Sequence, residues 1–274
     1  MNINKPSVYP SVSFHQHGAV LIVVLLFLIL IMLVGVIAVR NSSTDLKLAT
    51  SDQINTVLLQ SSDSVNNKIE MSVNGDPLSQ EHKQIMSFTG IFGYYILNSS
   101  ADNDIIDFCY RPRAGFFNID NAVIRRNTGK LVSNNTGYCD PKVSGDYTSA
   151  RNTTMTQVMV KDVSKAASAR PFGHMTLGSD TEAKTSKMHT FEIYSTSVLP
   201  SYGNAKTSKI QECFGKDASD STNGVSKCMT DNNIPNKMLV EQVDVANIQS
   251  DEFCNFFGKG TTPNTSTNAL CRDS

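Results

Sequence analysis

The chain has 274 residues, a formal net charge of −1, 18% charged residues and no tryptophan. This near balance gives no polyanion-binding surface, so nucleic acid is not an expected partner. About 200 residues follow the first long helical stretch, enough for one globular domain, and no internal repeat or long low-complexity linker divides them.

Residues 1–18 form a short polar leader ending in His15-Gln16-His17-Gly18, and Ala19 to Val39 then make an unbroken apolar run of 21 residues. An uncharged run of this length matches the roughly 20 residues a helix needs to cross a hydrocarbon core of about 30 Å. A secretory signal has a shorter apolar core followed by a small-x-small cleavage site, whereas this run ends in Ala38-Val39-Arg40-Asn41. The run is therefore expected to stay attached and to span a membrane. No cysteine stands near the end of the leader, so a lipoprotein signal is not supported. Lys5 before the run and Arg40 and Lys47 after it give no positive-inside bias.

Beyond the run the apolar residues change to helical spacing. Leu46, Thr50, Ile54, Val57, Leu58, Val65 and Ile69 fall near one face, while Asp45, Asp52, Asn55, Asp63, Asn66 and Glu70 point elsewhere. Asn74-Gly75-Asp76-Pro77 supplies a glycine stop and a proline. The spacing predicts one continuous helix over 19–73, membrane-spanning over 19–39 and amphipathic beyond, about 80 Å long. Heptads are poor, so the amphipathic half is expected to pack on a sheet rather than form a coiled stalk.

Strands are expected at Ile91 to Leu97, Ile105 to Tyr110, Gly115 to Ile119, Gln157 to Val163, Phe191 to Val198, Lys206 to Phe214 and Leu239 to Val245. Each is bounded by Gly, Pro, Asn or Asp. An antiparallel sheet is the simplest arrangement, with a hairpin turning at Pro200-Ser201-Tyr202-Gly203-Asn204. All six cysteines, Cys109, Cys139, Cys213, Cys228, Cys254 and Cys271, lie beyond residue 100, and an even number there suits an oxidising, extracytoplasmic compartment. The sequence does not choose among the possible pairings; nearest neighbours (Cys109 with Cys139, Cys213 with Cys228, Cys254 with Cys271) are preferred. No C-x-x-C pair and no histidine at ligand spacing supports a zinc site.

The leader, Gly18 and the apolar segment Ala19-Val20-Leu21-Ile22-Val23-Val24-Leu25-Leu26 resemble the minor pilins of type IV pili, and within them the PilX group. The similarity continues through Gly35-Val36-Ile37-Ala38-Val39-Arg40-Asn41-Ser42-Ser43 and fades after about Glu70. His17 stands where lysine or arginine is usual in the family. The resemblance implies an α+β, type IV pilin-like fold, in which the long N-terminal helix packs on an antiparallel β-sheet head (74–274) with a disulfide-stapled C-terminal region (213–274). It implies cleavage by a prepilin peptidase after Gly18 and methylation of Ala19. Val23 is the fifth residue after that cut, where most pilins carry a glutamate thought to pair with a neighbour's freed amino terminus; its absence goes with tip subunits.

The implied location is the inner membrane, crossed once with the amino terminus cytoplasmic and the head periplasmic, and then the pilus at the cell surface. Expected partners are other minor pilins, the major pilin, the inner-membrane assembly platform and a possible tip adhesin. The expected role is initiation of pilus assembly at or near the tip. The alternatives are a K-type minor pseudopilin of type II secretion, an adhesive or partner-binding module on the cysteine-rich end, and a membrane-anchored enzyme. The last is disfavoured, because no H-E-x-x-H, G-x-S-x-G, Walker loop or G-x-G-x-x-G occurs. His82, His174 and His189 read as solvated, and Arg125-Arg126 with Lys130 as a solvated turn. Asp102, Asp104 and Asp107, and Asp217, Asp220 and Asn223, could offer oxygen ligands to calcium but lack EF-hand spacing. No cofactor and no metal is expected.

Overall fold

The computed structural model describes residues 17–76, 79–87, 89–97, 101, 104–126, 137–164, 188–201 and 206–246. The chain divides into two compact units, with the boundary after Gln53. The first unit is helical throughout its described part, the beginning of α1 (His17–Val73). The second holds the rest of α1 and a mixed head.

Helix α1 ends at Val73 as the Asn74-Gly75 stop predicts, and the Asn74 amide still donates to Glu70 O at 2.9 Å. Two short helices follow, α2 (Gln80–Met86) and α3 (Gly93–Leu97). Ser79 caps α2, its hydroxyl accepting from the His82 amide at 3.1 Å. The sheet is built from β1 (Asp104–Cys109), β2 (Ala122–Arg126), β3 (Met155–Asp162), β4 (Met188–Val198) and β5 (Asn236–Ala246). Its order is β2-β1-β3-β4-β5 and every neighbouring pair is antiparallel. Between β4 and β5 lie α4 (Thr207–Phe214) and α5 (Val225–Asp231).

Alternation along the strands gives the sheet two buried faces. Ile106, Phe108, Ile124, Val158, Val160, Phe191 and Ile193 point to one core, which they share with Val65 and Ile69 of α1 and with Ile85, Phe92 and Tyr95. Ile105, Met155, Met159, Tyr194 and Val198 point to the other, closed by Ile210, Phe214, Val225 and Met229 of α4 and α5. Full burial of side chains such as Phe92 and Phe191 stabilises the head by about 1.5–3 kcal/mol each.

The contact of α1 with the sheet is more polar than its spacing suggests. Leu58, Val65 and Ile69 are buried as expected, but Leu46 and Val57 are exposed. Asn66, expected to point away, is buried and accepts from Ser195 Oγ at 2.7 Å. Ser62 Oγ donates to Ser197 Oγ at 2.8 Å, and Ser61 Oγ lies 2.9 Å from Thr156 Oγ1. Small hydroxyl side chains let helix and sheet approach while each satisfies another.

Four expected strands are present as β1, β3, β4 and β5. Three are not. Ile91 to Leu97 is a turn running into α3: its run of adjacent apolar residues has no period, and Gly93 sits where a Cβ would lie 1.9 Å from Ser87 O. Gly115 to Asn118 is irregular and leads into a 3-10 turn at Ile119–Asn121, which the Asn118 side chain caps by accepting from the Asp120 amide; the strand forms at β2 instead. Lys206 to Phe214 is α4, whose apolar Ile210, Cys213 and Phe214 recur at helical spacing. Tyr202 to Asn204 of the expected hairpin lie outside the described residues; the next element after β4 is α4 and not a strand, and β4 pairs with β5 across the two helices.

Candidate functional site

Two features of the chain bear on function: the apolar start of α1, which has no role within the fold alone, and the disulfide-held layer that closes the outer face of the sheet. From Val20 to Val39 every large apolar side chain is between 52% and 71% exposed. No charge interrupts the run. The stretch is long and apolar enough to cross a membrane, and none of it is buried in the described structure. An uncovered patch of this size requires lipid or other apolar helices around it. Val23 is one of these exposed residues, and Gly18 and Ala19 fall in the first turn of α1.

In the second unit, a disulfide joins Cys213 of α4 to Cys228 of α5, and another joins Cys109 at the end of β1 to Cys139. Cys254 and Cys271 lie outside the described residues. Helix α5 ends in a Schellman motif: Asn233 adopts a left-handed φ of 56°, and the Ile234 amide donates to Met229 O at 2.9 Å. The connection between α4 and α5 folds back tightly at Gly224, where a Cβ would lie 2.0 Å from Asp220 O.

Charged residues pin this layer to the sheet. On β3, Lys161 Nζ donates to both carboxylate oxygens of Asp217 at 2.9 and 2.8 Å. On β2, Arg125 Nε donates to Asp107 Oδ2 at 2.6 Å, and its Nη2 donates to Lys216 O at 3.2 Å. Burial pushes the Asp107 carboxyl up to about 6, against the opposing charge and hydrogen bond of Arg125. Burial would also raise Asp217, but hydrogen bonds from Lys161 and Ser219 outweigh it and hold the group below its ordinary value.

These contacts change several readings made from sequence. Arg125 is a buried ion-pair partner and not part of a solvated turn. His82 is buried, with Nδ1 3.0 Å from Ser72 O, rather than solvated. His189 is partly buried, 3.3 Å from Asp162, and its ring stacks on Phe191. His174, Lys130 and Asp102 lie outside the described residues. The carboxylates considered for calcium are engaged otherwise: Asp104 accepts from Tyr94 Oη at 2.8 Å, and Asp220 Oδ1 accepts from the Thr222 and Asn223 amides at 2.7 and 3.1 Å. Among the described residues no three His, Cys, Asp or Glu side chains converge as metal ligands.

An exposed apolar helix that continues into a helix packed on an antiparallel sheet, with disulfides in the head, is the α+β architecture of a type IV pilin-like subunit. Residues 17–65, the larger part of α1, match the family model described as PilX N-terminal, so this stretch is similar to the amino-terminal helix of that family. No curated protein and no solved structure matches the chain.

Proposed function

We infer that this chain is a minor pilin that takes part in starting type IV pilus assembly and ends at or near the pilus tip. The PilX N-terminal match, which falls on the exposed apolar helix, carries the reading. Residues 1–18 act as the leader, a prepilin peptidase cuts after Gly18, and Ala19 becomes the methylated amino terminus. Residues 19–39 hold the subunit in the inner membrane with its head, residues 74–274, in the periplasm. The two disulfides suit that oxidising compartment.

During assembly the helix exchanges lipid neighbours for the helices of other minor pilins and of the major pilin. Dispersion and close packing drive the exchange, since lipid is as apolar as the helices themselves. Val23 contributes no carboxylate to pair with a neighbour's amino terminus, which fits a subunit that docks beneath no earlier one. The outer disulfide layer, with the rest of residues 213–274, is the part of the head offered to partners. The test is deletion of the chain in its host, with immunogold labelling of pili in the complemented strain. The reading expects a sharp fall in surface pili on deletion and label confined to one fibre end. Normal pilus numbers after deletion, or label spread along the fibre, would overturn it.

A further inference from the structure

An open cleft of about 370 Å³ lies in the head between α2 and the segment following Phe116. One wall is a single stripe of α2: Gln80 and Gln84 stand one turn apart, and Ser87 follows at the C-cap. The other wall is Phe117, Asn118 and Asp120, with the Asn118 side chain capping its own turn by accepting from the Asp120 amide at 2.9 Å. The walls are tied at one point, where Gln84 Oε1 accepts from the Phe116 amide at 3.0 Å. The cleft is therefore fixed by the fold rather than left between two free loops.

Its chemistry is selective. Among the described residues the lining carries amides, hydroxyls and one carboxylate, Asp120, with no lysine or arginine, so an anion finds no counter-charge there. Ser87 is 1% exposed and its Oγ has no hydrogen-bond partner among the described residues. A buried hydroxyl left without a partner costs about 1–3 kcal/mol, a cost that a ligand supplying the missing partner would relieve. Phe117 and the half-buried Ile119 add an apolar strip beside these groups.

Amides that both donate and accept, a carboxylate that accepts two hydroxyl protons, and a short apolar strip together match a ring bearing several hydroxyls on one edge and C–H groups on its face. The volume falls in the range of small-ligand pockets, at the size of a mono- or disaccharide. We propose that the cleft between α2 and residues 117–120 binds a neutral saccharide. Gln80, Gln84, Asn118 and Asp120 bond its hydroxyls, Ser87 anchors it at the floor, and Ile119 packs against its C–H face. This binding rests on the head alone and is independent of the role in pilus assembly.

The test uses the full chain in lipid nanodiscs, so that no sugar-headed detergent competes. Saturation-transfer NMR is recorded with glucose, galactose, mannose, N-acetylglucosamine and N-acetylgalactosamine at millimolar concentrations, with glycylglycine and putrescine as non-saccharide probes. Saturable binding of at least one sugar is expected, weakened at least tenfold by Gln80→Ala and by Asp120→Asn. Both residues are exposed, and unchanged melting curves will show that the head still folds. Ser87→Ala should weaken the same sugar without lowering the melting temperature, because the hydroxyl it removes has no partner among the described residues. The proposal is overturned if no sugar binds saturably, if binding is unaffected by all three substitutions, or if only the dipeptide or the diamine binds.

Discussion

Asp107 and Arg125 set the electrostatic character of the outer sheet face. Both are buried, at 1% and 8% side-chain exposure, so neither can turn to water if its partner is lost. Removal of one member of such a pair leaves an uncompensated charge, and Asp107→Ala is expected to lower head stability by about 3–5 kcal/mol in urea unfolding. The pH dependence follows from the raised carboxyl. A group that holds its proton to about pH 6 when folded, but only to its ordinary value when unfolded, favours the folded state most at low pH. Its contribution is complete below about pH 4 and is lost as pH rises through about 6. Asp217, held below its ordinary value, acts in the opposite sense and at lower pH: its contribution is present above its unfolded value and is lost as pH falls through the depressed one. Between pH 4 and 6 the slope of stability against pH should therefore become more positive in Asp107→Asn than in the parent chain. Identical slopes would contradict the assignment.

At the scale of elements, α1 has two different jobs along one helix. Its first part must stay apolar on all sides, and Leu26→Asp is predicted to block membrane insertion or bundling and so abolish surface pili; normal piliation in that strain would contradict it. An aspartate at a helix centre costs about 2.5–3.5 kcal/mol in a bilayer. Its last part must hold the sheet, and there sequence and structure part company in an instructive way. The apolar run and the Asn74-Gly75 stop announced the helix and its end, because length and glycine punctuation depend on local chemistry. The seam of Ser61, Ser62 and Asn66 with Thr156, Ser195 and Ser197 was not legible, because a buried serine looks like a solvated one until its partner strand is known. Helices α4 and α5 were legible but missed: Ile210, Cys213 and Phe214, and Val225, Cys228 and Met229, each repeat at i, i+3 and i+4. The α2 cleft left no sequence signal, since Gln80 and Asp120 meet only through the fold.

For the whole molecule, membrane anchoring and head stability are separate problems with separate solutions. The head joins its outer helices by Cys213–Cys228 and ties the β1 end to Cys139, and closing the shorter of these loops contributes about 3 kcal/mol in the chain-entropy view. Reduction should therefore lower the thermal midpoint of the head, and superimposable melts with and without reductant would count against this. The proposed anchor is expected to depend on leader processing instead. The central claim, that the chain is a pilin precursor whose apolar helix becomes an assembly element, is tested most directly by Gly18→Ser in the native host, following mature mass, amino terminus and surface pili together. The account predicts a parent protein shortened by 18 residues and beginning at methylated Ala19, and a variant that keeps its leader and forms no pili. A parent chain that retains its leader while pili form normally would contradict it.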